Sequence, residues 1–245
     1  MDDTDRERTW ELLGLLFQAH PWHGVPTGAE APGVVTAYIE IVPADTVKYE
    51  IDKGSGHLKV DRPQQFSNVC PSLYGFIPRT FCGERVAAFS HARTDLPTLE
   101  GDGDPMDICV LSEKAFSHGD FLLQAIPIGG LRLIDRGQAD DKIIAVLEGD
   151  AAYGESREIE DVPEALVERL KHYFLTYKRP PGAEPGTVQI ASVYGRAEAC
   201  EVIERSREDY RRKFPDLEGG LLDALGGEAG EPGGPRRLRE GAGLR

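Results

Sequence analysis

Cationic side chains are scarce in this chain: 28 Lys and Arg stand against 42 Asp and Glu, a formal charge of −14 over 245 residues. Nucleic acid and anionic membranes are both gripped by a basic face, so this deficit argues against either as a partner. No apolar run approaches the ~18 residues that a bilayer span requires. The opening Met1-Asp-Asp-Thr-Asp-Arg-Glu-Arg is acidic and lacks an apolar signal core, which leads us to expect a cytoplasmic protein. Only four cysteines occur, Cys70, Cys82, Cys109 and Cys200, with no Cys-x-x-Cys pair and no His at zinc-ligand spacing. Thiols scattered this way fit a reducing compartment, where they act as small hydrophobes. Also missing is a Walker loop ending in Gly-Lys-Ser/Thr, which weakens a nucleotide-triphosphatase reading. Gly54-Ser55-Gly56 sits in a hairpin turn, without the context of a nucleophile elbow. We see no internal repeat.

What the chain does have is an ordinary globular composition, 40% hydrophobic and 29% charged, at a length that suits a single domain. From about 5 to 20, Trp10, Leu13, Leu16 and Phe17 recur at helical spacing until Pro21. Strands are expected at Val34–Ile41, Val47–Asp52 and His57–Arg62, the last two forming a hairpin across Lys53-Gly54-Ser55-Gly56. Further strands are expected at Met106–Leu111, Phe121–Pro127, Leu131–Ile134 and Lys142–Leu147. Between Thr80 and Gly101 runs a long connection with a short helix, Arg85–Ala92, of the kind used for lids or subunit contacts. The C-terminal part turns helical. Asp161 should cap a helix whose stripe is Leu166, Val167, Leu170, Tyr173, Phe174 and Tyr177, and a second helix should run from Arg196 to Lys213. A Gly-rich tail, 217–245, is expected to be disordered and outside a single domain spanning 1–216. Many short strands followed by helices imply an α+β fold, a β-barrel or strongly bent sheet with helices outside it; the gaps between strands are too short for a doubly wound parallel sheet.

The chemistry is carried by acids. Gly101-Asp-Gly-Asp-Pro-Met-Asp107 puts three carboxylates into seven residues, and Asp135, Asp140 and Asp141 follow, capped by Lys142. Like charges ~5 Å apart cost roughly 3 kcal/mol per pair at an effective dielectric near 20. Such crowding persists if some groups stay protonated or if hard divalent cations bind, and oxygen ligands select Mg²⁺, Mn²⁺ or Ca²⁺. Local turn chemistry is the plain alternative for each cluster, since Asp and Gly favour loops on their own account. An EF-hand is rejected: Asp102, Asp104 and Glu113 occupy suitable positions, but Met106, Asp107 and Pro105 spoil the loop. Lys48 and Glu50 should share one strand face, with Tyr49 on the other. Together with Arg62, Lys142, Tyr177 and Lys178 these residues fit phosphoryl transfer to water, the metals polarising phosphoryl oxygens and the cations holding the leaving phosphate.

The chain resembles the soluble, metal-dependent inorganic pyrophosphatases called family I. The resemblance is carried by Ile39-Glu-Ile-Val-Pro, Val47-Lys-Tyr-Glu-Ile-Asp-Lys, Leu58-Lys-Val-Asp-Arg, Leu73-Tyr-Gly-Phe-Ile-Pro-Arg-Thr, Gly101-Asp-Gly-Asp-Pro-Met-Asp, Ile126-Pro-Ile-Gly and Asp135–Val146, and covers about residues 35 to 180. It implies a small OB-like closed β-barrel with flanking helices that hydrolyses pyrophosphate using several Mg²⁺ ions, with Mn²⁺ as a substitute, in a homo-oligomer. By the same resemblance, Asp102, Asp107 and Asp140 hold a first metal and Asp107 helps hold a second. Asp135 and Asp140 hold a substrate-associated metal, and Glu50 supports a further one. Asp104 activates the attacking water. Lys48, Arg62, Lys142, Tyr177 and Lys178 bind phosphate, and Tyr74 and Glu40 line the site. Three departures stand out: Cys70 where the family has Tyr, Arg136 where it often has an acid, and the insertion at about 81–100. A non-catalytic pyrophosphate-binding module on the same fold, and an enzyme acting on a larger phosphoanhydride, remain as alternatives.

Overall fold

The computed structural model describes residues 18–65, 67–94, 96, 98–178 and 188–215. The helix expected at 5–20 and the tail expected at 217–245 lie outside these residues, or nearly so. The elements belong to one compact unit that ends at Lys213; of a second unit, beginning at Phe214, only Phe214 and Pro215 are described.

The strands are β1 (Val35–Ile41), β2 (Val47–Ile51), β3 (Leu58–Pro63), β4 (Leu73–Phe76), β5 (Glu100–Gly101), β6 (Asp107–Leu111), β7 (Phe121–Asp135), β8 (Gln138–Ala139), β9 (Lys142–Leu147) and β10 (Val188–Gly195). The helices are α1 (Glu84–His91), α2 (Glu164–Thr176) and α3 (Arg196–Lys213), with a 3₁₀ turn at Ile159–Asp161. One mixed sheet follows the order β1-β4-β6-β9-β7-β8-β5, with β10 paired to β7 and β1 paired to β7 as well as to β4. The hairpin β2–β3 stands as a separate two-stranded sheet.

Strands β6 and β9 are the centre, and their sequences say why. Ile108 and Val110 of β6 and Ile143 and Ala145 of β9 enter one core. Their alternates Cys109, Leu111, Ile144 and Val146 enter the second core, beneath α2. Burial on both faces removes polar alternation, as in strands that pack on both sides. The two run parallel, Asp107 opposite Lys142, because the long β7 intervenes and returns the chain to the same end. Parallel pairing was not among the expectations.

Strand β7 corrects a second expectation. The two strands expected at Phe121–Pro127 and Leu131–Ile134 are one strand of 15 residues, which passes through a register shift between Pro127 and Gly129. The glycines serve close approach: a Cβ on Gly129 would lie 2.4 Å from the Tyr194 carbonyl oxygen, and one on Gly130 would lie 2.5 Å from the Tyr194 ring. Strands β4 and β10 were not anticipated at all. Helix α3 spans the expected residues. Asp161, expected to cap α2, instead accepts hydrogen bonds from the Arg157 and Glu158 amides at 2.8 and 2.9 Å around the 3₁₀ turn, and Pro163 takes the N-cap of α2.

Candidate active site

The parallel pairing brings Asp107 and Lys142, first residues of β6 and β9, side by side. The Lys142 ammonium bonds both Asp107 and Asp140. Tyr74, reaching in from β4, donates its hydroxyl to Asp107 Oδ2 at 2.6 Å. Burial opposes the charge on Lys142, but the two carboxylates prevail and hold it well above its ordinary range. Asp140 is in hydrogen-bond contact with Asp102, and burial raises its pKa against the pull of Lys142. Asp102 is pushed up to about 8, first by burial and then by the charge of Asp140.

Gly103, at φ +77°, turns the chain between Asp102 and Asp104, a conformation glycine adopts without strain. The Asp104 amide donates to Asp102 Oδ1 at 3.0 Å, and Lys53 from the hairpin tip is ion-paired with Asp104. Lys53 was missed as a site residue, although it closes the Val47–Lys53 block.

The hairpin supplies further charge. Lys48 faces Arg62 while Tyr49 faces Val60, so Asp61 is the extra residue of a β-bulge. Its carboxylate, also missed, binds Lys48 at 3.1 Å and Arg62 at 2.5 Å. Lys48 and Glu50 do share a face, 3.2 Å apart. Glu40, buried on β1, accepts the Ile51 amide at 2.7 Å and so ties the hairpin to the sheet. Burial pushes the Glu40 carboxyl up to about 8, with Asp107 and Glu50 adding to the rise.

The aromatic face of α2 gathers these groups. Arg62 lies 5.6 Å and Lys178 5.3 Å from the Tyr177 ring centroid, and Lys142 lies 5.8 Å from that of Phe174. Tyr74 packs 6.0 Å from Phe174. Lys178 carries Asp135 with it, 2.8 Å away, and Arg136 lies 4.0 Å from the other oxygen of Asp135. Asp135 is held by Lys178 and Asp140 by Lys142.

Asp141 separates from its neighbours. It points to the opposite side of the sheet, where it meets Arg132 at 3.5 Å and the Tyr194 hydroxyl at 3.1 Å. Cys70 is buried in the core beneath α2, and burial pushes its thiol up to about 11. The 81–100 segment contributes α1, which packs on α3.

Among the described residues no three ligating side chains already close on one point. The donors are nonetheless all carboxylate oxygens, and burial raises both Asp102 and Asp140. That chemistry fits a hard divalent cation. No helix among the described residues is long and apolar enough to cross a membrane.

Residues 37–211 match the family model described as inorganic pyrophosphatase, which reaches past the sequence blocks to include α3. The inorganic pyrophosphatase of Chlamydia caviae is 51% identical over 199 residues, covering 80% of this chain and 92% of its own. The soluble inorganic pyrophosphatase of Oryza sativa subsp. indica is 40% identical over 192 residues, covering 78% and 79%. Among solved structures, the inorganic pyrophosphatase of Thermus thermophilus superposes with a TM-score of 0.66 at 30% identity, covering 79% of this chain and 99% of that one. With its acids, cations and tyrosines drawn to one end of the β6–β9 pair, and with relatives this close over most of its length, the chain belongs to the inorganic pyrophosphatase family.

Proposed function

We propose that this chain hydrolyses inorganic pyrophosphate to two phosphates, with Mg²⁺ as the natural metal and Mn²⁺ as a substitute. The observation that carries the reading is the Lys142 ammonium shared by Asp107 and Asp140, with Asp102 against Asp140, and Arg62 and Lys178 on the Tyr177 ring beside Asp61 and Lys48. Nothing observed favours the non-catalytic alternative.

Asp102, Asp107 and Asp140 would hold metal, with Asp135 and Glu50 holding further ions on the substrate side. When bound, divalent metal would polarise the phosphoryl oxygens and lower the pKa of coordinated water. Asp104, at the mouth of the loop, takes the proton of the attacking water as its oxygen bonds to phosphorus. The bridging P–O bond breaks, and the electron pair leaves with the second phosphate. Lys142, Arg62, Lys48 and Lys178 neutralise that departing charge, the Tyr177 hydroxyl orients the phosphoryl oxygens, and Tyr74, its hydroxyl committed to Asp107, lines the site. Glu40 lines the site and anchors the hairpin that carries Lys48 and Arg62.

We assign the scaffold as a closed OB-like barrel, a reading supported by the pairing of β1 with both β4 and β7. A single catalytic domain to about residue 216, a homo-oligomeric state and a cytoplasmic setting complete the proposal; the free thiols at all four cysteines agree with the last. Phosphate release by the pure protein with Mg²⁺, compared between pyrophosphate and ATP, tests the substrate. Pyrophosphate should be turned over at least a hundredfold faster. Equal rates would move the activity to larger phosphoanhydrides.

A further inference from the structure

The acidic loop is held from behind by a two-layer staple. Its inner layer is the Phe81–Gly83 segment. The Cys82 amide donates to the Asp104 carbonyl at 2.8 Å, and the Gly103 amide donates to the Cys82 carbonyl at 3.1 Å. Gly101 lies so close that a Cβ there would stand 2.1 Å from the Cys82 oxygen. The outer layer is α3. The Phe81 amide donates to the Ser206 carbonyl at 2.9 Å. Asp209, only 4% exposed, accepts from the amides of Gly83, Arg85 and Val86 at 3.1, 2.9 and 3.2 Å through Oδ2. Gly83 leaves no room to spare, since a Cβ would come within 3.0 Å of that carboxylate. A buried carboxylate bonded to several backbone amides forms strong, charge-assisted bonds. Exposed ion pairs between α1 and α3, such as Arg85–Glu208 at 2.9 Å, add little.

We infer that Asp209 is a positioning residue for catalysis: through Gly83 and Cys82 it fixes the backbone that presents Asp104 to the attacking water. The inference rests on the role given to Asp104 above. It makes α3, at the far side of the Phe81–Gly83 segment from the acidic loop, part of the machinery that sets the rate.

Asp150 provides a matched comparison. It is likewise buried, and it accepts from Ser112 Oγ at 2.7 Å and from the Glu113, Ala152 and Tyr153 amides at 3.0 Å each, far from the acidic loop. The experiment compares Asp209→Ala, Asp209→Asn and Asp150→Ala in the full chain. Amide exchange at Gly103, with chelator present, reads the loop directly, because exchange reports local opening. Steady-state kcat and KM for pyrophosphate with Mg²⁺ are measured alongside. Asp209→Ala should exchange at Gly103 at least tenfold faster and lose about tenfold in kcat, with KM within twofold. Asp209→Asn, which keeps one acceptor oxygen, should recover most of the kcat, and Asp150→Ala should change neither reading. Should Asp209→Ala fail to fold, Asp209→Asn against Asp150→Asn carries the same criteria at smaller amplitude. Wild-type exchange at Gly103 in the Asp209 variants would overturn the staple. Faster exchange with unchanged kcat would overturn the inference through the role of Asp104 instead.

Discussion

Asp140 and Asp141 stand next to each other in the chain and face opposite sides of the sheet. On one side Asp140 shares the Lys142 ammonium with Asp107 and contacts Asp102. On the other, Asp141 meets a guanidinium and a phenol: Arg132 lies between the rings of Phe89 and Tyr194 and also binds Glu198 at 2.7 Å. Both regions are buried and charged. They differ in supply. Around Arg132, the acids Asp141 and Glu198 meet Arg132 and Arg93, so charge is matched. Around Lys142, Asp107 and Asp140 share one ammonium while Asp102 contacts Asp140, and burial raises Asp102 and Asp140. A matched network is structural; an unmatched one is poised to take cations from solution.

The largest effect should come from Asp104→Asn. Loss of a general base costs roughly 10²–10⁴-fold in turnover. Thermal stability should stay close to wild type, and phosphate-release kinetics beside a melting curve would read both. Wild-type turnover would remove its role. Arg132→Met should show the opposite pattern. Stranding buried Asp141 should cost about 3–5 kcal/mol of stability, read by denaturant unfolding, with kcat per folded molecule little changed. A large kcat loss in folded Arg132→Met would erase the distinction between the two regions.

Next in size is a pH effect. Glu40 and Asp102 remain protonated in the folded protein up to about 8, whereas in the unfolded chain they ionise near their ordinary values. Their contribution to stability is therefore full at low pH and lost as pH climbs from about 4 towards 8. With chelator present, unfolding free energy should fall over that range, and Glu40→Gln should flatten part of the slope. Smallest is Arg136→Ala. At 77% side-chain exposure, Arg136 should change stability by no more than about 0.5 kcal/mol, checked by thermal melts.

Much of this was legible in the chain. The Gly101–Asp107 block and Asp140-Asp-Lys142 point to the candidate site because so many carboxylates in so few residues cost free energy that turn chemistry alone does not offset. Helix α3 spans the expected Arg196–Lys213 and stops short of Pro215. Strand β10 was missed because its residues alternate between partly buried and exposed, a weak pattern, and β4 because four residues leave no period to read. Lys53 and Asp61 escaped for a different reason. Each reaches the site through tertiary geometry: the hairpin that carries Lys53 is legible but its approach to Asp104 is not, and the bulge at Asp61 leaves no local signal. The opposite fates of Asp140 and Asp141 follow from strand alternation once β9 is known to begin at Lys142.

The most direct test of the unmatched-charge account is phosphate release from pyrophosphate by the pure protein, titrated with Mg²⁺ and then with EDTA. The account predicts turnover that rises with Mg²⁺, vanishes on chelation and returns when Mg²⁺ is restored. Turnover that persists undiminished in excess EDTA, or that never rises with Mg²⁺, would contradict it.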